Sequence, residues 1–519
     1  MDEAARARIR ALHEQAEVLS DGRTAAAQAP EGGAPDLEAR PASPAGGQIS
    51  ADGPSLADED DGGAGPKAGG FSAKDINREF ALVLMGSKAV VVREANGGPV
   101  DDRSRVLTLD AFKAWFANRF TERRGADGKV KAVSWASAWL TSCWRRSYAG
   151  IEFFPNPDGA ASTPGYLNLW RGFAYAPAPK PNGWKTLRDH MLTNICRGDE
   201  KLFAWVFGFF AHMVQRPRER IGVALVLRGA MGSGKTVVGE HMGALLPQHY
   251  FLVDDPRYVT GQFNAHMASC LLLQADEAVW AGDKAAEGRL KGLVTSPIQQ
   301  IEAKGVDPIR LKNYVRLVMT SNENWVVPAG RDERRFCVLD VDPRCSQQHG
   351  YFAEMAAELA DGGYAALLHD LMAFDLASVD LRTIPKTAAL LYQKERSLDP
   401  IAAWWLDRLD SGRTTRAAET WDDFAPTARL FDDYIAHADR VGVKRRADET
   451  IFGQDLRRLA PGLTRVRRTV GTGRQWCYAI PSLAACREAW EQAMGQPREW
   501  FAEPDDPHEA GERDGEGEF

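Results

Sequence analysis

Residues 221–236 read IGVALVLRGAMGSGKT. Gly229, then Ala230, Met231, Gly232 and Ser233, then Gly234, Lys235 and Thr236, have the types and spacing of a phosphate-binding loop. The chemistry of such a loop is narrow. Its glycines let successive backbone N–H groups curve around phosphate oxygens without side-chain clash. Lys235 would bring a point charge to the β- and γ-phosphates, and Thr236 would offer a hydroxyl to Mg²⁺. A helix starting there would turn its positive end toward the anion. Chance is the plain alternative. Against it, an apolar run at 223–227 precedes the loop, and Val238, Met242, Leu245 and Leu246 follow at helical spacing. ATP and Mg²⁺ are therefore the expected ligands.

A second strand-like run, CLLLQADE at 270–277, ends in Asp276 and Glu277. Two acids at a strand end are common. After a phosphate loop they acquire roles: Asp276 would hold the metal together with Thr236, and Glu277 would orient or deprotonate the attacking water. A third run, VRLVMTSN at 315–322, ends in Asn322. Asn at such a place can be a simple turn former. Following the two earlier motifs in this order, it is expected to hold the lytic water and sense the γ-phosphate. The segment RDERRF at 331–336 comes directly before another strand-like run. Clustered charges usually make a solvated turn. In an oligomeric ATPase an arginine can instead reach the nucleotide of a neighbour, and Arg334 or Arg335 is the candidate. Sequence does not choose between them.

Between the acid pair and Asn322, residues 300–303 and 309–311 look like the arms of a hairpin around Lys304 and Gly305. Lys304 on a loop tip could touch a DNA backbone, an ordinary surface lysine being the plainer reading. Further on, Arg465, Arg467, Arg468 and Arg474 belong to a basic stretch. Alternation in TRVR at 464–467 puts arginines on one outer face of a strand. Arg467 and Arg468 are taken as DNA contacts, against the alternative of a solvated face.

The elements that must position these residues follow from periodicity. Candidate strands at 222–228, 250–253, 270–275, 314–320 and 335–341 alternate with helical segments, which predicts an α/β domain with a parallel five-stranded sheet. In such sheets ligands bind beyond the carboxyl ends of the strands. Upstream, Leu109, Phe112, Phe116 and Phe120 fall on one helical face with Thr108 as N-cap, and Trp135 and Trp139 sit i,i+4. YLNLWRGF at 166–173 reads as a short strand and turn, followed by helices near 184–196 and 200–214. These aromatics read as core rather than base-stacking platforms. Downstream, helices at 400–410, 426–440 and 449–459 precede strands at 463–470 and 474–480 joined through Gly471-Thr472-Gly473. Three helices and a hairpin are the parts of a winged helix.

The expected organisation has five parts. Residues 1–70 are expected to be a disordered segment in which residues 1 to about 20 could form one short helix. Residues 71–215 are a mostly helical domain, 216–395 the P-loop ATPase, 396–500 the winged-helix-like module, and 501–519 an acidic tail. Net charge is −7, so any nucleic-acid surface must be local. Seven cysteines carry no C-x-x-C spacing, which argues against zinc ribbons and redox motifs. No signal-peptide core is evident at the start, and the apolar run at 203–214 is too short to span a bilayer. A cytoplasmic protein without membrane partners is expected.

The order of motifs resembles the superfamily 3 helicases: P-loop, Asp276-Glu277, a hairpin bearing Lys304, a strand ending in Asn322, then Arg334-Arg335. It looks most like the virus- and phage-type primase-helicase branch with its poxvirus-like helical N-terminal domain, and YLNLWRGF adds to that likeness. The similarity covers roughly 140–345 and, more loosely, the chain to 500. It implies an AAA+-like core, a homo-oligomeric (hexameric) ring, and ATP-driven 3′-to-5′ movement on single-stranded or forked DNA. Service to phage, plasmid or mobile-element replication is implied too. Two departures stand out. Many members carry a primase-polymerase domain where this chain has residues 1–70, so priming would fall to a separate primase or polymerase. Several viral relatives follow the hairpin lysine with histidine, where this chain has Gly305. Two other functions fit parts of the pattern: an AAA+ loader or remodeller without sustained unwinding, and a DNA-binding scaffold stabilised by nucleotide. A scaffold has no use for Glu277.

Overall fold

The computed structural model describes residues 70–95, 104–124, 128–261, 264–277, 284–302, 307–471 and 473–500. The segments expected at 1–69 and 501–519, and Lys304 with Gly305, lie outside the described residues.

The first part of the chain is mixed, not mostly helical. Strands β1 (Phe80–Met85), β2 (Lys88–Glu94) and β3 (Ser104–Leu107) form an antiparallel sheet, and the short strand β4 (Ser147–Tyr148) pairs parallel to β1. FALVLM and KAVVVRE are rich in β-branched and large apolar residues and are separated by Gly86-Ser87, which turns the chain back at a positive φ of 59°. Helical spacing of the aromatics downstream concealed this hairpin. Helix α1 (Leu109–Trp115) does carry its N-cap, Thr108, whose hydroxyl accepts from the Ala111 N–H. It stops before Phe120, which opens a separate antiparallel pair, Phe120–Arg124 with Val130–Ser134. Phe80, Phe112 and Phe116 pack edge-to-face, with Trp139 tilted against Phe112, in a core of their own.

The helices Lys185–His190 and Glu200–Gln215, expected to belong with that N-terminal part, pack instead into the central core. The second is buried nearly all round, from Trp205 to Val214, because it lies between the main sheet and the helix Tyr364–Ala373.

At the centre lies a five-stranded, wholly parallel sheet. Its strands are β5 (Ala224–Arg228), β6 (Tyr250–Val253), β7 (Leu272–Asp276), β8 (Arg316–Ser321) and β9 (Phe336–Asp340). Their spatial order is β6-β7-β8-β5-β9. Leu225, Val226, Leu227, Leu272, Leu273, Val318, Cys337 and Val338 are fully or almost fully buried, as expected where helices cover both faces. In-phase register aligns the carboxyl ends: Asp276 pairs with Thr320, and Ser321 with Arg228.

The last part has its own core around Trp404, Trp405, Phe452 and Trp490. Helices Pro400–Ser411, Thr427–Arg440 and Glu449–Leu459 pack against a three-stranded antiparallel sheet, followed by the helix Leu483–Met494. In that sheet β10 (Phe424–Pro426) and β11 (Thr464–Val470) flank β12 (Gly473–Ala479). Among the described residues no helix is long and apolar enough to cross a membrane.

Candidate active site

The loop after β5 makes two left-handed turns that glycine permits, at Gly232 (φ 76°) and Gly234 (φ 83°). Gly234 has a second reason to lack a side chain: a Cβ there would stand 2.5 Å from His190 Cε1 and 2.9 Å from Phe352. The helix Lys235–Ala244 begins at the next residue. Ser233 closes the loop by donating to the Ala230 carbonyl at 2.9 Å.

Lys235 folds back into the loop. Its Nζ donates to the Gly229 carbonyl (2.8 Å), the Ala230 carbonyl (2.8 Å) and Asn322 Oδ1 (2.7 Å). Burial lowers its pKa from the usual lysine value, an effect that Glu277 and Asp276 oppose. Thr236 Oγ1 stands 3.5 Å from Asp276 Oδ1, which also accepts from the Thr320 hydroxyl. Glu277 holds a left-handed backbone (φ 53°), uncommon for a residue with a side chain. Its N–H donates to the Thr320 carbonyl at 2.9 Å. Its carboxylate accepts from the Asn322 N–H (2.7 Å) and the Ser321 hydroxyl (3.0 Å). Lys235, Thr236, Asp276, Glu277 and Asn322 thus meet at the carboxyl ends of three neighbouring strands.

A cavity of about 470 Å³ lies against the loop side of this cluster, where Lys235 and Thr236 line it with Met231, Gly234, Gln347 and Phe352 among others. Among the described residues no three His, Cys, Asp or Glu side chains converge as a metal cage. A cation between Thr236 and Asp276 would therefore complete its shell with phosphate oxygens and water, the habit of Mg²⁺. The donor set fits that ion and a triphosphate: one hydroxyl, one carboxylate, one lysine and a glycine-lined turn.

Several supporting residues carried no sequence signal. Asn194 Nδ2 donates to His190 Nδ1 at 3.1 Å, which leaves the proton on Nε2 to bond the Gly234 carbonyl at 3.2 Å. His190 thereby props the loop, and its burial lowers its pKa. Gln274, fully buried, donates to the Thr236 carbonyl (3.0 Å) and accepts from Tyr250 OH (2.7 Å). Beyond Asn322, Gln393 Oε1 accepts from the Val326 N–H (2.8 Å), and its amide donates to the Asn324 carbonyl (2.8 Å). Such contacts join positions distant in the chain, so only packing reveals them.

The arginine pair lies elsewhere. The Arg335 carbonyl accepts from the Ala224 N–H at 2.7 Å, at the amino end of β5. The five-residue strand puts that point about 16 Å from the glycine-rich loop of the same chain. Arg335 is tied to buried Glu333 at 3.1 Å. Arg334 is exposed, and among the described residues its guanidinium has no ion-pair or hydrogen-bond partner. Both line a cavity of about 430 Å³ with Arg382, a third cation the sequence did not single out. The arms of the expected hairpin do pair, Ile298–Ile301 with Ile309–Lys312 in antiparallel register.

Arg467 and Arg468 fall on opposite faces of β11. Arg467 stands across from Trp476, and the Arg468 guanidinium lies 3.6 Å from the Phe424 ring centroid. Adjacent residues of a strand point to opposite sides, so one flat surface does not hold both.

Comparison with known proteins places this site in context. A family model described as a family of unknown function, DUF5906, matches residues 227–335. A DNA primase-polymerase of Nitratiruptor phage NrS-1 is 23% identical over 257 residues, 48% of this chain and 36% of that protein. The match therefore spans about a third of that relative's length. The apo structure of the NrS-1 C-terminal region is similar with a TM-score of 0.55 at 15% identity, over 79% of this chain and 98% of that one. Its A-form apo structure gives the same TM-score and coverage. The chain is homologous to the phage NrS-1 protein and shares the fold of its C-terminal region.

Proposed function

We propose that this protein is an ATP-dependent DNA helicase of superfamily 3 type, working as a homo-oligomeric ring in replication of a phage or related element. The observation that carries the reading is the convergence of Lys235, Thr236, Asp276, Glu277 and Asn322 at one end of the parallel sheet, with Arg334 at the other. The phage relative, named as a DNA primase-polymerase, supports a place in DNA replication. The sheet order, with the loop-bearing strand between β8 and β9, fits an AAA+-like core. The three helices and hairpin at 400–479 fit a winged helix.

Lys235 exchanges its bonds to Gly229, Ala230 and Asn322 for phosphate oxygens, gaining charge-assisted contacts. That exchange frees the Asn322 amide to hold the attacking water. Thr236 and Asp276 would hold Mg²⁺, which supplies charge neutralisation at the phosphates. Glu277, fixed by Ser321 and the Asn322 N–H, accepts the water's proton. Arg334 acts on the nucleotide of the neighbouring protomer, because its own phosphate loop is at the far end of the sheet. Arg335 anchors the turn through Glu333, and Lys304, as expected from the sequence, would contact the DNA strand.

Strand displacement from a forked duplex by purified protein with ATP and Mg²⁺ tests this reading. Displacement that disappears with a non-hydrolysable analogue is the expected result. ATP hydrolysis without displacement under all fork geometries would favour a loader or remodeller.

A further inference from the structure

The β11–β12 hairpin carries a surface that the nucleotide site does not use. Between Asp455 and Glu488 the chain holds Arg457, Arg458, Arg465, Arg467, Arg468, Arg474 and Arg487, with no acidic residue at all. Register divides the hairpin into two faces. Arg467 pairs with Trp476, Arg465 with Tyr478 and Thr469 with Arg474, so Arg465, Arg467, Arg474 and Trp476 share one side. Trp476 lies on β12 just past the end of β10, which pairs only as far as Cys477, and it is 44% exposed. An apolar ring of that size is more often covered by packing. Here its neighbours are cations: the guanidinium of Arg465 lies 4.7 Å from the ring centroid and that of Arg467 5.4 Å. Arg468 is turned to the other side, against Phe424.

We propose that the Arg465/Arg467/Arg474/Trp476 face is a platform for single-stranded DNA, with Trp476 stacking on an unpaired base and the arginines holding flanking phosphates. The inference rests on the reading that this protein works on DNA, and it names which surface and which form of DNA. Intact duplex offers phosphates to arginines but no open base face to an indole on a flat sheet. An unpaired base offers both. Because Arg465 and Arg467 already lie against the ring, a base entering there meets a surface that is aromatic and cationic together.

The test is fluorescence anisotropy of the full chain, without nucleotide, on a labelled oligothymidylate of about 12 nucleotides, a length within the usual site sizes. Trp476→Ala is expected to weaken binding about five-fold to a hundred-fold, the loss of one base–aromatic stack. Trp476→Phe should restore most of it. Wild-type protein should bind an abasic oligomer of the same length as weakly as Trp476→Ala binds oligothymidylate. Arg465→Ala with Arg467→Ala should flatten the slope of log K against log salt by about 1.4, two single-strand phosphate contacts. Arg468→Ala, on the opposite face, should change affinity less than about two-fold, well below the loss expected for a stack.

Wild-type affinity in Trp476→Ala, or equal affinity of the wild-type protein for abasic and oligothymidylate strands, overturns the proposal. The abasic comparison needs no variant, so a misfolded mutant cannot blur it. Because no nucleotide is present, absence of ATP turnover leaves the platform standing. Conversely, unwinding that survives alongside unchanged Trp476→Ala binding removes the platform alone.

Discussion

Replacing Glu277 with glutamine removes one charge and almost no shape, and the surroundings of this carboxylate define what should follow. The glutamine Oε1 can still accept from the Asn322 N–H, now 2.7 Å from the carboxylate. The glutamine amide can donate to the Ser321 hydroxyl, whose rotor then turns to another acceptor. Two charge-assisted bonds become neutral ones at an exposed position, at a cost of about 1 kcal/mol each. The fold and the Lys235 cradle should persist, so nucleotide affinity should stay within a few-fold of wild type. Hydrolysis should not persist. Loss of a positioned general base costs about 10²–10⁴ in rate, or roughly 3–5 kcal/mol of barrier. Single-turnover phosphate release gives the rate. Binding of a fluorescent ATP analogue and the melting temperature give the controls. Turnover within two- or three-fold of wild type would refute the assignment. Collapse of binding and melting temperature along with turnover would make Glu277 a structural residue instead.

Gly234→Ala puts a Cβ at a φ of 83° and 2.5 Å from His190. It should destabilise the protein by at least about 1–2 kcal/mol and abolish the stabilisation by ATP seen in thermal melts, whereas a full ATP-induced shift would mean that the loop does not hold phosphate in this conformation. Buried neutral histidines should make stability fall in acid. Burial, aided by the Arg316 guanidinium, holds His212 down at about 3, and burial holds His249 down at about 4. Both lie below the unfolded value, so protonation favours the unfolded chain: stability is intact above pH 6.5 and declines as pH falls toward 4. The slope is up to about 1.4 kcal/mol per pH unit for each histidine. Urea unfolding followed by tryptophan fluorescence should therefore show a marked loss between pH 8 and pH 5, and a flat profile would contradict the buried neutral imidazoles.

What could be read from the chain follows the range of the physics involved. The strands of the main sheet were legible because a parallel strand is a short continuous apolar run, and the runs at 270–277 and 315–322 led into the polar residues Asp276, Glu277 and Asn322. The turn after β5 was legible because its conformation demands glycine at fixed places, Gly232 and Gly234. The hairpin of Phe80–Met85 and Lys88–Glu94 was missed, since aromatic residues at helical spacing nearby drew the reading toward helix. His190, Gln274, Phe352 and Arg382 have no local signature, and their roles exist only after distant segments pack. The left-handed backbone of Glu277 could not be foreseen either: nothing in ADE signals a positive φ, which the bond from its N–H to the Thr320 carbonyl holds in place. Arg467 and Arg468 were grouped by charge, and strand alternation separates them.

The central claim is that the nucleotide is bound by one protomer and attacked with help from Arg334 of the next. Two inactive variants test it most directly, Lys235→Ala and Arg334→Ala, assayed alone and after co-assembly. At a mixed junction the intact loop of the arginine variant faces the intact arginine of the lysine variant. ATP hydrolysis should reappear on mixing, with a maximum near equal proportions. Mixed oligomers that form and yet stay inactive at every ratio would contradict it.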